Sequence, residues 1–195
     1  WKKPFHETRG VLTANFRGVN GTLSAKFLFE KNVSNWYVEG WGASMLSREV
    51  DGGWVHYILP SAERAYAMDE LIDQLRSGLL RKLTSKLELQ DMGLMAPWLT
   101  TESTIDVKAL LEHDVLRNTF SMQADLSGIG QGPLCVNACI VKSTMEVGPK
   151  GVKAAAAAYA GGGLLSISPV MECTRPHIVL VTPTRQAEQI AFCQV

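Results

Sequence analysis

The sequence offers little that would hold a metal, cross a membrane or grip a nucleic acid. Its four cysteines, Cys135, Cys139, Cys173 and Cys193, are too few and too irregularly spaced for a disulfide framework or a zinc site. Free thiols inside the fold are the expectation. No run of 18 apolar residues occurs, so no membrane-spanning helix is expected. Lys and Arg together number 19, as do Asp and Glu, giving a net charge of +0. That balance provides neither a basic surplus for nucleic acid nor an acidic surplus for disorder. His6, His56, His113 and His177 are scattered, and none falls in a nucleophile or metal motif. Ser166 follows an apolar pair rather than sitting in a G-x-S-x-G elbow, and no Walker lysine follows Gly161-Gly162-Gly163. An enzyme is therefore not expected, and neither is a cofactor or a metal.

What is present is a globular composition. The chain has 195 residues, 46% of them hydrophobic, enough for one domain or a large piece of one. Residues 1–60 read as strands: Val11 to Phe16 and Leu23 to Phe29 around Gly18-Val19-Asn20-Gly21, then Trp36 to Val38 and Trp54 to Leu59, with Asp51-Gly52-Gly53 as a turn. Residues 67–83 carry Met68, Leu71, Ile72, Leu75, Leu79 and Leu83 at three- and four-residue spacing, which predicts one amphipathic helix facing the core. Trp98 to Thr104 reads as strand after Pro97, and Asp106 as the cap of a following helix. Residues 134–147 are β-rich, and 177–182 and 189–193 read as a closing strand pair. Two sequons, at Asn20 and Asn32, would accept glycans in a secreted protein. No signal peptide is read at the N-terminus, which says nothing about secretion.

The organising stretch is Gly148 to Pro169, GPKGVKAAAAAYAGGGLLSISP. Ala154 to Ala158 favour helix, but a turn and a half falls far below the ~12–15 residues at which an isolated helix becomes marginal. Three glycines then stop it. Read as a strand, the segment sorts by parity. Val152, Ala154, Ala156, Ala158 and Ala160 share one small apolar face, and Lys153 and Tyr159 fall on the other. This is the pattern of a strand that can slide between two others, with no proline to interrupt the ladder. Parity alone leaves a plain flexible loop open.

The flanks resemble the serpins, the serine protease inhibitor superfamily. Gly151-Val152-Lys153-Ala154-Ala155-Ala156-Ala157 is similar to the family's hinge motif, which Ala158 extends. Ala124-Asp125-Leu126-Ser127-Gly128-Ile129 is similar to its ADFSGI segment, Trp1-Lys2-Lys3-Pro4-Phe5 to its W-x-x-PF motif, and Cys173-Thr174-Arg175-Pro176-His177 to the strand after its reactive-centre loop. The match covers nearly the whole chain but only about the C-terminal half of a serpin.

The resemblance implies an α+β fold of mixed β-sheets with a few helices and an exposed loop over 148–169, incomplete relative to the full serpin fold, with residues 1–195 as the C-terminal part of one domain. It implies a suicide substrate, cleaved at Leu165-Ser166, whose hinge (Gly151 to Ala158) inserts into the main sheet. The implied partners are a chymotrypsin-like serine protease, suited to Leu165, and the missing N-terminal half; the implied location is extracellular. The family pattern is departed from at Pro149 and Lys153, where acidic residues are usual, at His177, where a buried Phe is usual, and at Cys193, where glycine is usual. A serpin-like binding or carrier protein, whose loop is only a substrate, is the alternative.

Overall fold

The computed structural model describes residues 11–18, 20–31, 33–61, 68–108, 117–130, 132–149 and 169–185, and residues 191–194 and Arg117 for the backbone alone. It falls into two compact units, residues 1–99 with 146–195, and residues 100–145.

The first unit begins with three antiparallel hairpins. Strands β1 (Val11–Gly18) and β2 (Gly21–Glu30) pair from Val11↔Leu28 to Gly18↔Gly21. β3 (Ser34–Gly40) and β4 (Ala43–Val50) close over Trp41-Gly42. Both turn residues there have positive φ, 53° and 79°, which suits the right-handed twist of a two-residue hairpin. β4 then returns as β5 (Gly53–Pro60) through Asp51-Gly52, with Gly52 at φ 81°. The expected strands around residues 11–29, 36–38 and 54–59 are all present. β4 was not foreseen: ASMLSREV mixes apolar and polar residues without alternation, because its central residues Met45 to Arg48 are buried on both faces.

The single helix expected over 67–83 is two. α1 (Met68–Arg76) and α2 (Leu79–Ser85) are separated at Ser77-Gly78, where Gly78 adopts φ 103° and ψ 12°. A left-handed glycine terminates a helix, since it turns the chain out of the ladder while its own N–H still reaches the Leu75 carbonyl. The apolar stripe nevertheless lands where its spacing requires. Leu71, Leu75, Leu79, Leu80 and Leu83 are buried against Val38, Met45, Ile58, Ile178 and Leu180, with Met68 and Ile72 packed alongside.

Then follow β6 (Glu88–Asp91), β7 (Gly93–Pro97), β8 (Leu99–Asp106), β9 (Ile140–Val147), β10 (Val170–Glu172), β11 (Ile178–Thr182) and β12 (Ala191–Gln194). In the first unit they complete a four-stranded sheet, β1-β2-β7-β10, and a six-stranded antiparallel sheet, β12-β11-β5-β4-β3-β6. The four-stranded sheet is mixed, since β10 runs parallel to β7. β8 and β9 form a two-stranded sheet. The turn after β11 is fastened by Arg185, whose guanidinium lies 4.0 Å from the Trp36 ring centroid and 6.0 Å from that of Trp54.

In the second unit the Asp106 Oδ1 accepts the Lys108 N–H at 3.0 Å, while the helix expected to follow lies outside the described residues beyond Lys108. Residues 134–139, expected to be strand, are not, and the strand starts only at Ile140. Asp125 instead folds back in an Asx turn, accepting from the Ser127 N–H and hydroxyl, which lowers its pKa.

The helix break yields a direct expectation. Gly78→Ala should destabilise the chain by about 1–2 kcal/mol, because an L residue is strained at this φ. Urea unfolding would register this as a lower midpoint at unchanged slope.

Candidate functional site: the anchors of the loop

The expected hinge, Gly151, Val152, Lys153, Ala154, Ala155, Ala156, Ala157 and Ala158, and the expected reactive bond, Leu165-Ser166, lie outside the described residues. So does the Asn32 sequon. What the structure describes are the two points between which this loop hangs, together with Asn20, exposed in the turn between β1 and β2.

The departure point is the end of β9. Its side chains are exposed for most of its length and become buried only at Val147, followed by buried Gly148 and Pro149. Gly148 passes against the Trp98 indole: a Cβ at that position would lie 3.3 Å from Trp98 Nε1. Trp98 is itself positioned by its backbone N–H, which donates to the Lys26 carbonyl at 2.8 Å, and the Lys26 ammonium lies 5.6 Å from its ring centroid. Pro149 brings no N–H, so a ladder extended past this point lacks one donor.

The return point is built more firmly. The Pro169 carbonyl accepts the Gly93 N–H at 2.7 Å, Val170, Met171 and Glu172 pair with Gly93, Leu94 and Met95, and the Cys173 N–H donates to the Met95 carbonyl at 2.8 Å. Gly93 is required here. A Cβ on it would sit 2.6 Å from the Glu30 carbonyl oxygen and 2.9 Å from Val170 Cγ2. Beyond the strand, the Arg17 N–H donates to the Thr174 carbonyl at 2.8 Å, and the Arg175 guanidinium donates to the Pro60 carbonyl. An open cavity of about 430 Å³ lies beside this segment, lined by residues that include Arg17, Tyr37, Ser44, Met171 and Arg175.

Behind the return point the core is polar. His177 is fully buried. Its Nδ1 lies 2.8 Å from the Arg175 carbonyl, which can only accept, so Nδ1 carries the proton and Nε2 is left as an acceptor. Among the described residues neither His177 Nε2 nor the Tyr57 hydroxyl has a hydrogen-bond partner, although both are buried and the ring centroids are only 6.5 Å apart. Burial pushes the Tyr57 phenol up, and pushes the Cys173 thiol up to about 12, so this cysteine is an inert core group. Of the expected interior thiols, Cys173 is buried, Cys135 and Cys139 are half-buried, and the Cys193 side chain lies outside the described residues.

A second buried histidine, His56, is fully partnered. Thr182 spends its proton on the Thr184 carbonyl at 2.6 Å, so its Oγ1 accepts from His56 Nε2 at 2.9 Å. His56 Nδ1 must then accept the Ser47 hydroxyl at 2.7 Å. The order Ser47, His56, Thr182 is a structural relay across β4, β5 and β11, with no opening to substrate. Among the described residues no cluster of three or more His, Cys, Asp or Glu side chains could hold a metal, and no helix is long and apolar enough to cross a membrane.

The residues pointed to β9 ahead of the expected loop, which itself lies outside the described residues; after it the strand is Val170–Glu172 and not Cys173–His177, and Trp98, Gly93 and the Tyr57–His177 pair were missed. Only His177 left a signal, as a polar residue where a buried phenylalanine is usual.

The comparisons with known proteins agree with this architecture. The family model "Serpin (serine protease inhibitor)" matches residues 1–194. Alpha-1-antiproteinase of Ovis aries is 31% identical over 126 residues, 64% of this chain and 30% of that protein. Among solved structures, Serpin48 of the insect Tenebrio molitor superposes with a TM-score of 0.80 at 22% identity, covering 100% of this chain and 51% of that one. Human thyroxine-binding globulin, solved with thyroxine, superposes with a TM-score of 0.83 at 19% identity, covering 100% and 52%. At such identities the structural likeness speaks for the fold alone. The chain spans about a third of the ovine relative and about half of each solved chain.

The two histidines make the fold acid-sensitive. Burial lowers each from 6.5 to about 4. Between those values the unfolded chain takes up protons that the folded chain refuses, so stability is full above about pH 6.5 and falls as the pH drops toward 4. Each histidine contributes a loss of about 3 kcal/mol over that range. Urea midpoints between pH 7 and 4.5 should show this loss, and His177→Phe should roughly halve its histidine part.

Proposed function

The chain belongs to the serpin family, and from this we propose that it carries the working half of a suicide-substrate inhibitor of serine proteases, not an enzyme. The observation that carries the reading is the run from Gly151 to Ala158, whose inward parity holds only Val152 and alanines, suspended between two built strand ends. The alpha-1-antiproteinase relative supports inhibition as the activity.

In this reading a protease serine attacks the Leu165 carbonyl. The peptide bond to Ser166 breaks, the Ser166 amine leaves, and the protease remains esterified to Leu165. The hinge then enters the main sheet as a new strand and carries the protease away from β10 before water can release it. Sheet insertion is a recognised form of conformational switching. The firm return anchor at β10 holds the Ser166 side in place while the Leu165 side moves. Leu165 suits an apolar specificity pocket and not one with a buried acid, so the expected target is chymotrypsin-like. The chain's share of its relatives' length makes an N-terminal half the natural partner, since it would supply further strands for the main sheet. The sequons at Asn20 and Asn32 support a secreted glycoprotein.

One observation favours a second reading. Thyroxine-binding globulin, whose structure holds thyroxine, has the same fold over the whole of this chain. In that case the protein is a carrier and its loop is only a substrate.

Mixing the protein with chymotrypsin and running a denaturing gel separates the two readings. A covalent band at the summed mass is expected, and Leu165→Arg should redirect it to trypsin. Cleavage after Leu165 with no such band would leave the carrier reading standing, and trypsin acting on the unsubstituted loop at Leu165 would contradict the specificity.

A further inference from the structure

The β1–β2 hairpin carries a sequon, Asn20-Gly21-Thr22, at its tip. Gly18 pairs with Gly21, and Asn20 lies in the turn that joins them. Gly21 takes φ 129°, and a Cβ there would meet nothing within 4 Å, so the tip stands in open space. Asn20 and Thr22 are both exposed. The contrast with Asn35 is direct: that amide is buried and donates from Nδ2 to the Met92 carbonyl at 2.7 Å.

The same hairpin touches the loop's return segment. The Arg17 N–H donates to the Thr174 carbonyl at 2.8 Å. Asn20 is three residues farther on, in the turn, so at most about 10 Å of chain separates the two. A bulky group on Asn20 would therefore stand beside the strand into which the Ser166 side of the loop leads.

We propose that Asn20 carries an N-linked glycan, and that this glycan screens the return side of the loop from an approaching protease. The screening half rests on the inhibitor reading above. In the modification the Asn20 side-chain nitrogen attacks the sugar C1 of a polyisoprenyl-diphosphate oligosaccharide. An N–C bond forms, the C–O bond to phosphate breaks, polyisoprenyl diphosphate leaves and one amide proton is released. Thr22 completes the acceptor triplet. The folded protein accommodates the product because the tip is exposed and the ladder ends at Gly21.

The test is secretion of the full chain from cultured mammalian cells behind a heterologous leader. The intact mass should exceed that of Asn20→Gln by one oligosaccharide, and Thr22→Ala should reproduce the loss without touching the asparagine. Equal masses for all three would overturn the site. Chymotrypsin should then cleave after Leu165 severalfold faster in both variants than in the glycosylated chain, followed as the appearance of the fragment that begins at Ser166. Equal cleavage rates with the glycan present would overturn the screening. Cleavage without a covalent protease complex would count against inhibition only, because both readouts stand without it.

Discussion

The return of the chain into the four-stranded sheet depends on one close approach of backbones. β10 can lie parallel to β7 only because Gly93 has no side chain; a Cβ there would drive into the Glu30 carbonyl and Val170. With that contact made, a three-residue strand receives hydrogen bonds at Pro169 and along the ladder, and the Cys173 N–H closes the far end. Parallel pairs need long connections, and here the connection is the whole stretch from residue 98 to residue 169, which includes β8 and β9. The Arg17 and Arg175 bonds to the neighbouring backbone extend the same anchor, so the chain after the loop is bound at every step to Ile178 and the core.

Most of this architecture could be read from the residues, and the failures have physical causes. Turn glycines and apolar runs located β1, β2, β3, β5 and β11, and the heptad-like leucines located the helical face. The helix break at Gly78 escaped because a leucine spacing of four continues across it: Leu75 and Leu79 both face the core whether or not the chain turns left-handed between them. β4 escaped because a strand covered on both faces loses its alternation. The late start of β9 escaped because Leu134 to Cys139 has β-forming composition without a partner strand. For the site, the flanking motifs set an expectation for residues 148–169, most of which lie outside the described residues. They could not reveal Trp98 against Gly148, since a contact between residues fifty apart leaves no local pattern.

The polar core is the feature that sets this chain apart from an ordinary sandwich of apolar strands. His56 is satisfied on both nitrogens by hydroxyls whose directions are forced by the Thr184 carbonyl. His177 is satisfied on one, and the Tyr57 hydroxyl has no partner among the described residues, so the return anchor rests against a region that is costly rather than stabilising, by about 1–3 kcal/mol per unpaired group. The cost is borne by the apolar cluster between α1, α2 and the six-stranded sheet, where Leu83, Met45 and Ile58 are fully buried.

Under the proposed insertion the hinge side chains would matter more than the ladder they join. β8 and β9 form a sheet of two strands among the described residues, and two strands alone are marginal in water. An entering strand gains roughly 0.5–1.5 kcal/mol per hydrogen bond. It also loses roughly 1–2 kcal/mol per residue in backbone freedom. These terms nearly cancel, so the ladder by itself does not drive insertion. The balance passes to the inward side chains and to whatever strain cleavage releases. Alanine carries almost no side-chain entropy to lose and no polar group to strip of water. A charged group at Ala154 or Ala156 would instead face the cost of burying an unpaired ion, several kcal/mol or more, which exceeds any margin left by the backbone. Lys153 escapes this cost only through its parity. A one-residue change in hinge register would turn it inward, so under the proposed insertion the spacing between Gly148 and Ala154 would matter as much as the alanines themselves.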